Sequence, residues 1–249
     1  MKIVEPKVEL LDIVGMEAED INFLIDNNIM KLYYAYRRCY SGDVENFTSK
    51  YKFPLSEQER MEIENFIRKM RKSPHESPLE HVTMTWHVYN MDRSISHQWV
   101  RHRIAAHSQA SQRYVKYDNL EVTVPNSIRN DKNLFEAYKD YMTNAENMYR
   151  GFIELGIPAE DARAILPNAT ATHIVTTMNL REMIHFFNER CCYRAQKGIR
   201  DIAYEMLEIC NQLYSCVFEG VGPKCFSMKR CPEIKPCHKL PFKNLKNNS

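Results

Sequence analysis

The chain has 249 residues, 44% of them hydrophobic, and a net charge of +2, which suits one large domain or two small ones. That charge gives no mandate for nucleic acid or a membrane surface, no apolar run approaches a membrane span, and MKIVEPKVELLDIV is too charged to read as an export signal. Eight cysteines then fit thiols in a reducing cytoplasm, and seven glycines without G-x-G-x-x-G or P-loop spacing leave any phosphate to side chains.

Lys2 to Val14 alternates as a strand, and residues 17–27 read as a short helix. An aromatic stretch follows, with Cys39 read as a small core residue. Ser56 to Met70 is a helix, with Ser56 and Glu59 at capping-box spacing. In HESPLEH, His75 to His81, Pro78 prevents a continuous helix, so the segment is a turn presenting polar groups. Val82 to Asn90 is a strand, and Asp92 caps a helix over 93–104.

Arg93 to Tyr117 contains no acidic residue but holds Arg93, Arg101, Arg103, Arg113 and Lys116, with His97, His102 and His107 among them. A basic run is ordinarily a solvated face. Here lysine is nearly absent, and Trp99, Val100, Ile104, Ala105, Ala106 and Ala110 thread the window with residues that favour burial. Arginines in partly apolar surroundings need anionic partners, and Ser108, Gln109, Ser111 and Gln112 add neutral donors. The pattern points to a pocket for an anionic ligand.

Leu120 to Val124 is a short strand. Leu134 to Leu155 is an amphipathic helix with Leu134, Tyr138, Tyr141, Met142, Ala145, Met148, Tyr149 and Phe152 on one core or interface stripe. Pro158 opens a short helix that Pro167 closes, and Ala169 to Thr177 is a strand. Asn179 caps a helix to Arg190, on which Arg181, His185 and Glu189 form an ordinary polar ridge. Cys191 and Cys192 read as packing, and Gln196 to Val217 is the last long helix. In the tail, Cys225, Cys231, Cys237 and His238 lack C-x-x-C spacing. Cys216 stands as a candidate fourth zinc ligand, but a loosely packed thiol-bearing tail is the expectation, and no metal ligand is assigned.

The run RHRIAAHSQASQR, Arg101 to Arg113, resembles the signature R-H-R-x-x-S-x-N/S-x-x-S-x-R of the flavin-dependent thymidylate synthases. Ala106 stands where that family usually has Ser. HESPLEH resembles the family's H-E-S/T-P-x-E-H, and Asn179-Leu180-Arg181 its N-x-R. RAQKGIR resembles R-A-Q-x-E-I-R, with Lys197-Gly198 as a second departure. The resemblance covers about residues 35–205 and implies an α+β fold, long helices on a small mixed or antiparallel sheet, assembled as a homotetramer with active sites between subunits. Residues 1–219 would form that domain and 220–249 a tail.

It also implies an enzyme that methylates dUMP to dTMP, with 5,10-methylenetetrahydrofolate as carbon donor and FAD reduced by NADPH. Gln98, Trp99, Val100, Arg101, Gln109, Ala110, Ser111, Gln112, Arg113, Arg163 and Arg190 would form the dUMP site, with Arg190 catalytic at the uracil ring. His75, Ser77, Arg101, His102, Arg103, Gln109, Asn179, Leu180, Arg181 and His185 would hold FAD. The competing reading is a paralogue that keeps a nucleotide or flavin pocket without the chemistry; a nucleic-acid binder is weaker, because the basic stretch is short.

Overall fold

The computed structural model describes residues 1–40, 50–117 and 119–237, and His238 lies outside the described residues. They form two compact units, Met1–Glu9 with Trp86–Thr176, and Leu10–Thr85 with Thr177–Ser249. The architecture is α+β, as the family resemblance implies. Among the described residues no helix is long and apolar enough to cross a membrane.

The first unit is built on strands. β1 (Lys2–Ile3) pairs in parallel with β5 (Glu121–Val122), and Pro6 separates it from β2 (Lys7–Leu10). The continuous strand expected over Lys2–Val14 is therefore broken, since proline cannot donate to a ladder, and Leu11–Ile13 forms a 3-10 turn instead. The larger sheet runs in the order β2, β3 (Thr83–Asp92), β6 (Ala171–Asn179), β4 (Ala105–Gln109). β3 buries Met84, Trp86 and Val88 at period two. The alternation fails at Asn90, whose φ is 55°, so that both Met91 and Asp92 are buried.

Asp92 caps α3 (Arg93–Trp99), which ends five residues before the expected boundary at 104. Short α4 (Asn126–Arg129) leads to the long α5 (Lys132–Glu154), capped by Asp131, and α6 (Ala159–Ala162) follows. Met142 of α5 packs with Leu120 and Val122 in a core flanked by Ile3, Tyr138 and Leu166. The apolar stripe of α5 divides: Met142, Ala145 and Tyr149 are buried, while Leu134, Tyr141 and Met148 are more than half exposed. Eight residues chosen for one stripe cover too much of a helix circumference for one face to bury.

The second unit is helical. α1 (Ala18–Arg38) is a single 21-residue helix rather than a short one over 17–27, because Ile25, Ile29, Leu32, Tyr33 and Tyr36 continue one buried stripe through the aromatic stretch. Cys39 just beyond is exposed, not core, and its Sγ donates to the Ala35 carbonyl. α2 (Glu57–Met70) begins with the full capping box of Ser56 and Glu59 and buries Ile63 and Ile67. Its Phe66 ring meets Tyr33 at 5.2 Å, and Arg60 pairs with Asp26 at 2.7 Å. α7 (Leu180–Arg190) is followed by α8 (Lys197–Leu213), α9 (Ser215–Phe218) and α10 (Lys224–Met228). The helix expected to reach Val217 breaks at Tyr214, where the backbone leaves helical space.

Candidate active site

In the first unit the signature starts from a buried carboxylate. Asp92 accepts from the Ile95 N–H at 2.8 Å and from Thr123 Oγ1 at 3.1 Å, and Ser94 also donates to it. These bonds satisfy the first turn of α3 and fix its direction. Trp99 is 0% exposed, so it anchors the end of α3 and has no side-chain surface to offer a ligand. His102 is 4% exposed, and its N–H donates to the Trp99 carbonyl at 3.1 Å. The expected helix through Arg101–His102–Arg103 is replaced by a turn that tucks His102 in and leaves both flanking arginines exposed. Among the described residues neither arginine has an ion-pair partner.

β4 then alternates. His107 and Gln109 lie on its half-buried face, Ala106 and Ser108 on its exposed face. His107 Nδ1 lies 2.9 Å from Thr176 Oγ1 and its Nε2 lies 3.0 Å from the His102 carbonyl. Gln109 Nε2 donates to Ser96 Oγ at 3.0 Å and Thr172 Oγ1 at 3.3 Å. Gln109, which the sequence counts among the ligand donors, thus ties β4 to α3 and β6, and His107 adds a second tie to β6. The hydroxyl missing at Ala106 would have faced outward beside Ser108.

Past β4, Arg93 Nη2 donates to the Ala110 carbonyl at 2.9 Å, and Ser111 Oγ accepts from the Arg113 N–H at 3.2 Å. Gln112 is half-buried, Val100 is exposed, and Gln98 Nε2 donates to the Ser94 carbonyl at 3.3 Å. Arg113 Nε sits 3.0 Å from Glu160 Oε2, and Arg163 Nε donates to the Glu160 carbonyl at 3.1 Å. Arg113 and Arg163 therefore meet at one residue, Glu160, that no sequence pattern marks.

In the second unit the HESPLEH segment is a 3-10 turn, Ser77–His81, pinned by buried Pro78 and Leu79 with His75 and Ser77 exposed. Asn179 Oδ1 accepts from the Glu182 N–H at 2.8 Å and starts α7, while the Leu180 N–H donates to the Val82 carbonyl at 3.0 Å. Arg181 pairs with Glu80, and with Glu76 at 3.4 Å, so N-x-R and HESPLEH meet. Arg181 and His185 form the exposed ridge that the spacing indicates. Burial pushes the Glu182 carboxyl up, against the opposing pull of His185.

At the far end of α7, Arg190 is half-buried; burial pulls its pKa down while neighbouring Glu189 opposes the shift. It lines a cavity of about 160 Å³ with Cys192, Arg194 and the tail residues Lys224, Cys225 and Cys231. Cys225 is buried, so the start of the tail packs, whereas residues 227–230 and 232–236 are exposed. Cys191 is fully buried and its thiol is pushed up to about 12, so it is packing, whereas Cys192 opens to the cavity.

The fold matches that of the UMP/dUMP methylase PolB from Streptomyces cacaoi, with a TM-score of 0.69 and 21% identity over 88% of this chain and 96% of that one. Residues 24–214 match the family model described as thymidylate synthase complementing protein. A flavin-dependent thymidylate synthase of Nitratidesulfovibrio vulgaris is 37% identical over 92% of both chains. Another, from Geobacter sulfurreducens, is 42% identical over 69% of this chain and 75% of its own length. The chain belongs to the flavin-dependent thymidylate synthase family.

Proposed function

We propose that this enzyme methylates dUMP to dTMP, taking the carbon from 5,10-methylenetetrahydrofolate and the reducing equivalents from NADPH through FAD. The observation that carries the reading is the meeting of Arg113, the last residue of the family signature, with Arg163 at Glu160, while Ser111 bonds to the Arg113 backbone. The Arg113–Glu160 pair is 52% and 49% exposed, so it contributes at most about 1 kcal/mol. A phosphate dianion offers Arg113 a bidentate, charge-assisted contact and displaces the carboxylate at small cost. Gln98, Arg101 and Gln112 complete the polar surface assigned to the nucleotide. Trp99, Val100, Gln109 and Ala110 act by shaping it, because Trp99 is buried and Gln109 is held by Ser96 and Thr172.

The residues also fit a pyrophosphate-bearing flavin. Arg101 and Arg103 are exposed, and so are His75, Ser77, Arg181 and His185, while Asn179 and Leu180 hold the start of α7 in place. When bound, the flavin supplies the hydride chemistry, and the protein contributes binding, orientation and charge. Arg190 is assigned to the uracil ring, where a guanidinium stabilises negative charge that develops at N3 and O2. Arginine keeps its proton at neutral pH even when burial opposes it.

A homotetramer is part of the same reading. Leu134, Tyr141 and Met148 support it, since they leave an exposed apolar line at seven-residue spacing on α5. A reducing, cytoplasmic location suits a chain with eight thiols.

The test is the visible spectrum of the purified protein. A yellow protein that NADPH bleaches without oxygen, and that reoxidises only with dUMP and methylenetetrahydrofolate together, supports the synthase. A protein that binds dUMP but cannot be loaded with FAD favours the non-catalytic binding module. Arg190→Ala should abolish turnover with the flavin spectrum nearly unchanged; recovery of that variant without flavin would sink the assignment to the uracil ring.

A further inference from the structure

The eight cysteines divide into groups with different surroundings. Cys191, Cys210 and Cys216 are buried, with thiols that burial pushes up to about 12 or well above the ordinary value, as packing residues behave. Cys39 is exposed beyond α1. The other four, Cys192, Cys225, Cys231 and Cys237, all line the cavity at the end of α7. Three come from the tail at five-residue gaps, and every described tail cysteine faces this one cavity. Cys216, the fourth ligand that sequence spacing offers, is not among its lining residues.

We propose that Cys192, Cys225, Cys231 and Cys237 bind one zinc ion as a tetrathiolate, clamping the C-terminal segment against the end of the helix that carries Arg190. Four thiolates in a small pocket select a soft, tetrahedral cation. The cavity is about 160 Å³, ample for one ion and its sulfur shell. All four cysteines line the one cavity, and a divalent cation there offsets the repulsion among four thiolates.

The surrounding charges suit the product. A zinc tetrathiolate carries two net negative charges, and Arg190, Arg194 and Lys224 line the same cavity with Glu189 and Glu233. The two carboxylates are engaged, Glu189 with Lys224 and Glu233 with Arg194 at 3.3 Å, which leaves sulfur as the donor set. Arg194 Nη1 also donates to the Lys235 carbonyl at 3.1 Å, so the segment already lies against the helix end. Among the described residues no three of these sulfurs all lie within 4.8 Å of one another. Zinc–sulfur bonds of about 2.3 Å bring ligand sulfurs to about 3.8 Å apart, so the cysteine side chains and the tail close around the ion on binding.

The experiment uses the full chain without an affinity tag, expressed in zinc-supplemented medium, desalted, and analysed for metal by mass spectrometry. One zinc per chain is expected. Bound zinc should be lost in Cys192→Ser and in Cys237→Ser, and kept in Cys216→Ser. Replacing zinc with cobalt should give the intense visible bands of a tetrahedral thiolate site, read as a difference against the metal-free protein. Circular dichroism checks that each variant folds, and half-exposed Cys237 supplies the safe variant if Cys192→Ser does not. Folded protein that takes up no zinc overturns the proposal. So does an intact mass that shows disulfides among these cysteines, or zinc that survives loss of Cys192 but not of Cys216. None of these readouts depends on flavin or turnover.

Discussion

Arg113 Nε lies 3.0 Å from the Glu160 carboxylate, and Arg163 donates to the backbone carbonyl of the same residue. Glu160 thus stands where the proposed nucleotide phosphate would compete for Arg113. Glu160→Gln removes that competitor while keeping the carbonyl that holds Arg163, and should tighten dUMP binding about two- to fivefold, up to ~1 kcal/mol. Arg113→Ala should weaken it by about 2 kcal/mol, the range of a charged hydrogen bond. Calorimetric titration measures both. Weaker binding in Glu160→Gln would mean the carboxylate contacts the nucleotide rather than masking its arginine.

Ala106 lies beside Ser108 on the exposed face of β4, with nothing on that face needing an apolar side chain. Ala106→Ser restores the family's usual hydroxyl and should leave the melting temperature almost unmoved, as exposed substitutions do. One added hydrogen bond to a bound ligand is worth about 1 kcal/mol, so FAD or dUMP affinity should rise roughly fivefold. If both affinities stay the same, the departure at Ala106 carries no functional weight.

Asn179 has two expected roles, as the cap of α7 and as a flavin contact. Asn179→Ala should cost about 1 kcal/mol of stability through the lost cap. Asn179→Asp keeps an acceptor for the Glu182 N–H and should recover most of that stability while adding a negative charge near the flavin phosphates. Flavin retention on gel filtration, set beside denaturant melts, separates the two roles. Full flavin retention in Asn179→Asp argues against the contact.

Asp12 is held by the Thr85 N–H at 2.6 Å, yet burial outweighs that bond and raises its carboxyl pKa above the ordinary value. A raised folded-state pKa means that ionisation costs stability. The cost is absent below the unfolded value of about 3.9 and fully present above the folded one. Asp12→Asn retains an acceptor for Thr85 and should therefore melt higher than the parent at pH 7. The difference should shrink as pH falls toward 4. A gap that widened in acid would reverse the sign and refute the burial argument.

The parts of the fold legible in sequence are those decided within a few residues. The Ser56–Glu59 box and the Asn179 cap depend on side chains reaching backbone three positions away, so spacing predicts them and the structure has both. The period-two burial of β3 is local in the same sense. The family signature was legible for a related reason: its residue types and gaps are written along one stretch of chain.

Other features depended on partners far away in the chain. β4 offers no large apolar residue in Ala105–Gln109, and it becomes a strand through β6, where Thr176 and Thr172 meet His107 and Gln109. α1 runs past its expected end because α2 supplies a surface for the aromatic stretch. The turn after Trp99 exists because Trp99 and His102 are buried, which no local propensity states.

The sequence by itself therefore determined the residue types that meet an anionic ligand and, through motifs of short-range spacing, the family whose resemblance implies the class of fold. Only the tertiary structure decided that Glu160 lies against Arg113, that Gln109 braces a sheet, and that three tail cysteines join Cys192 at one cavity. Those pairings link residues tens of positions apart, and burial and chain packing, not local chemistry, select them.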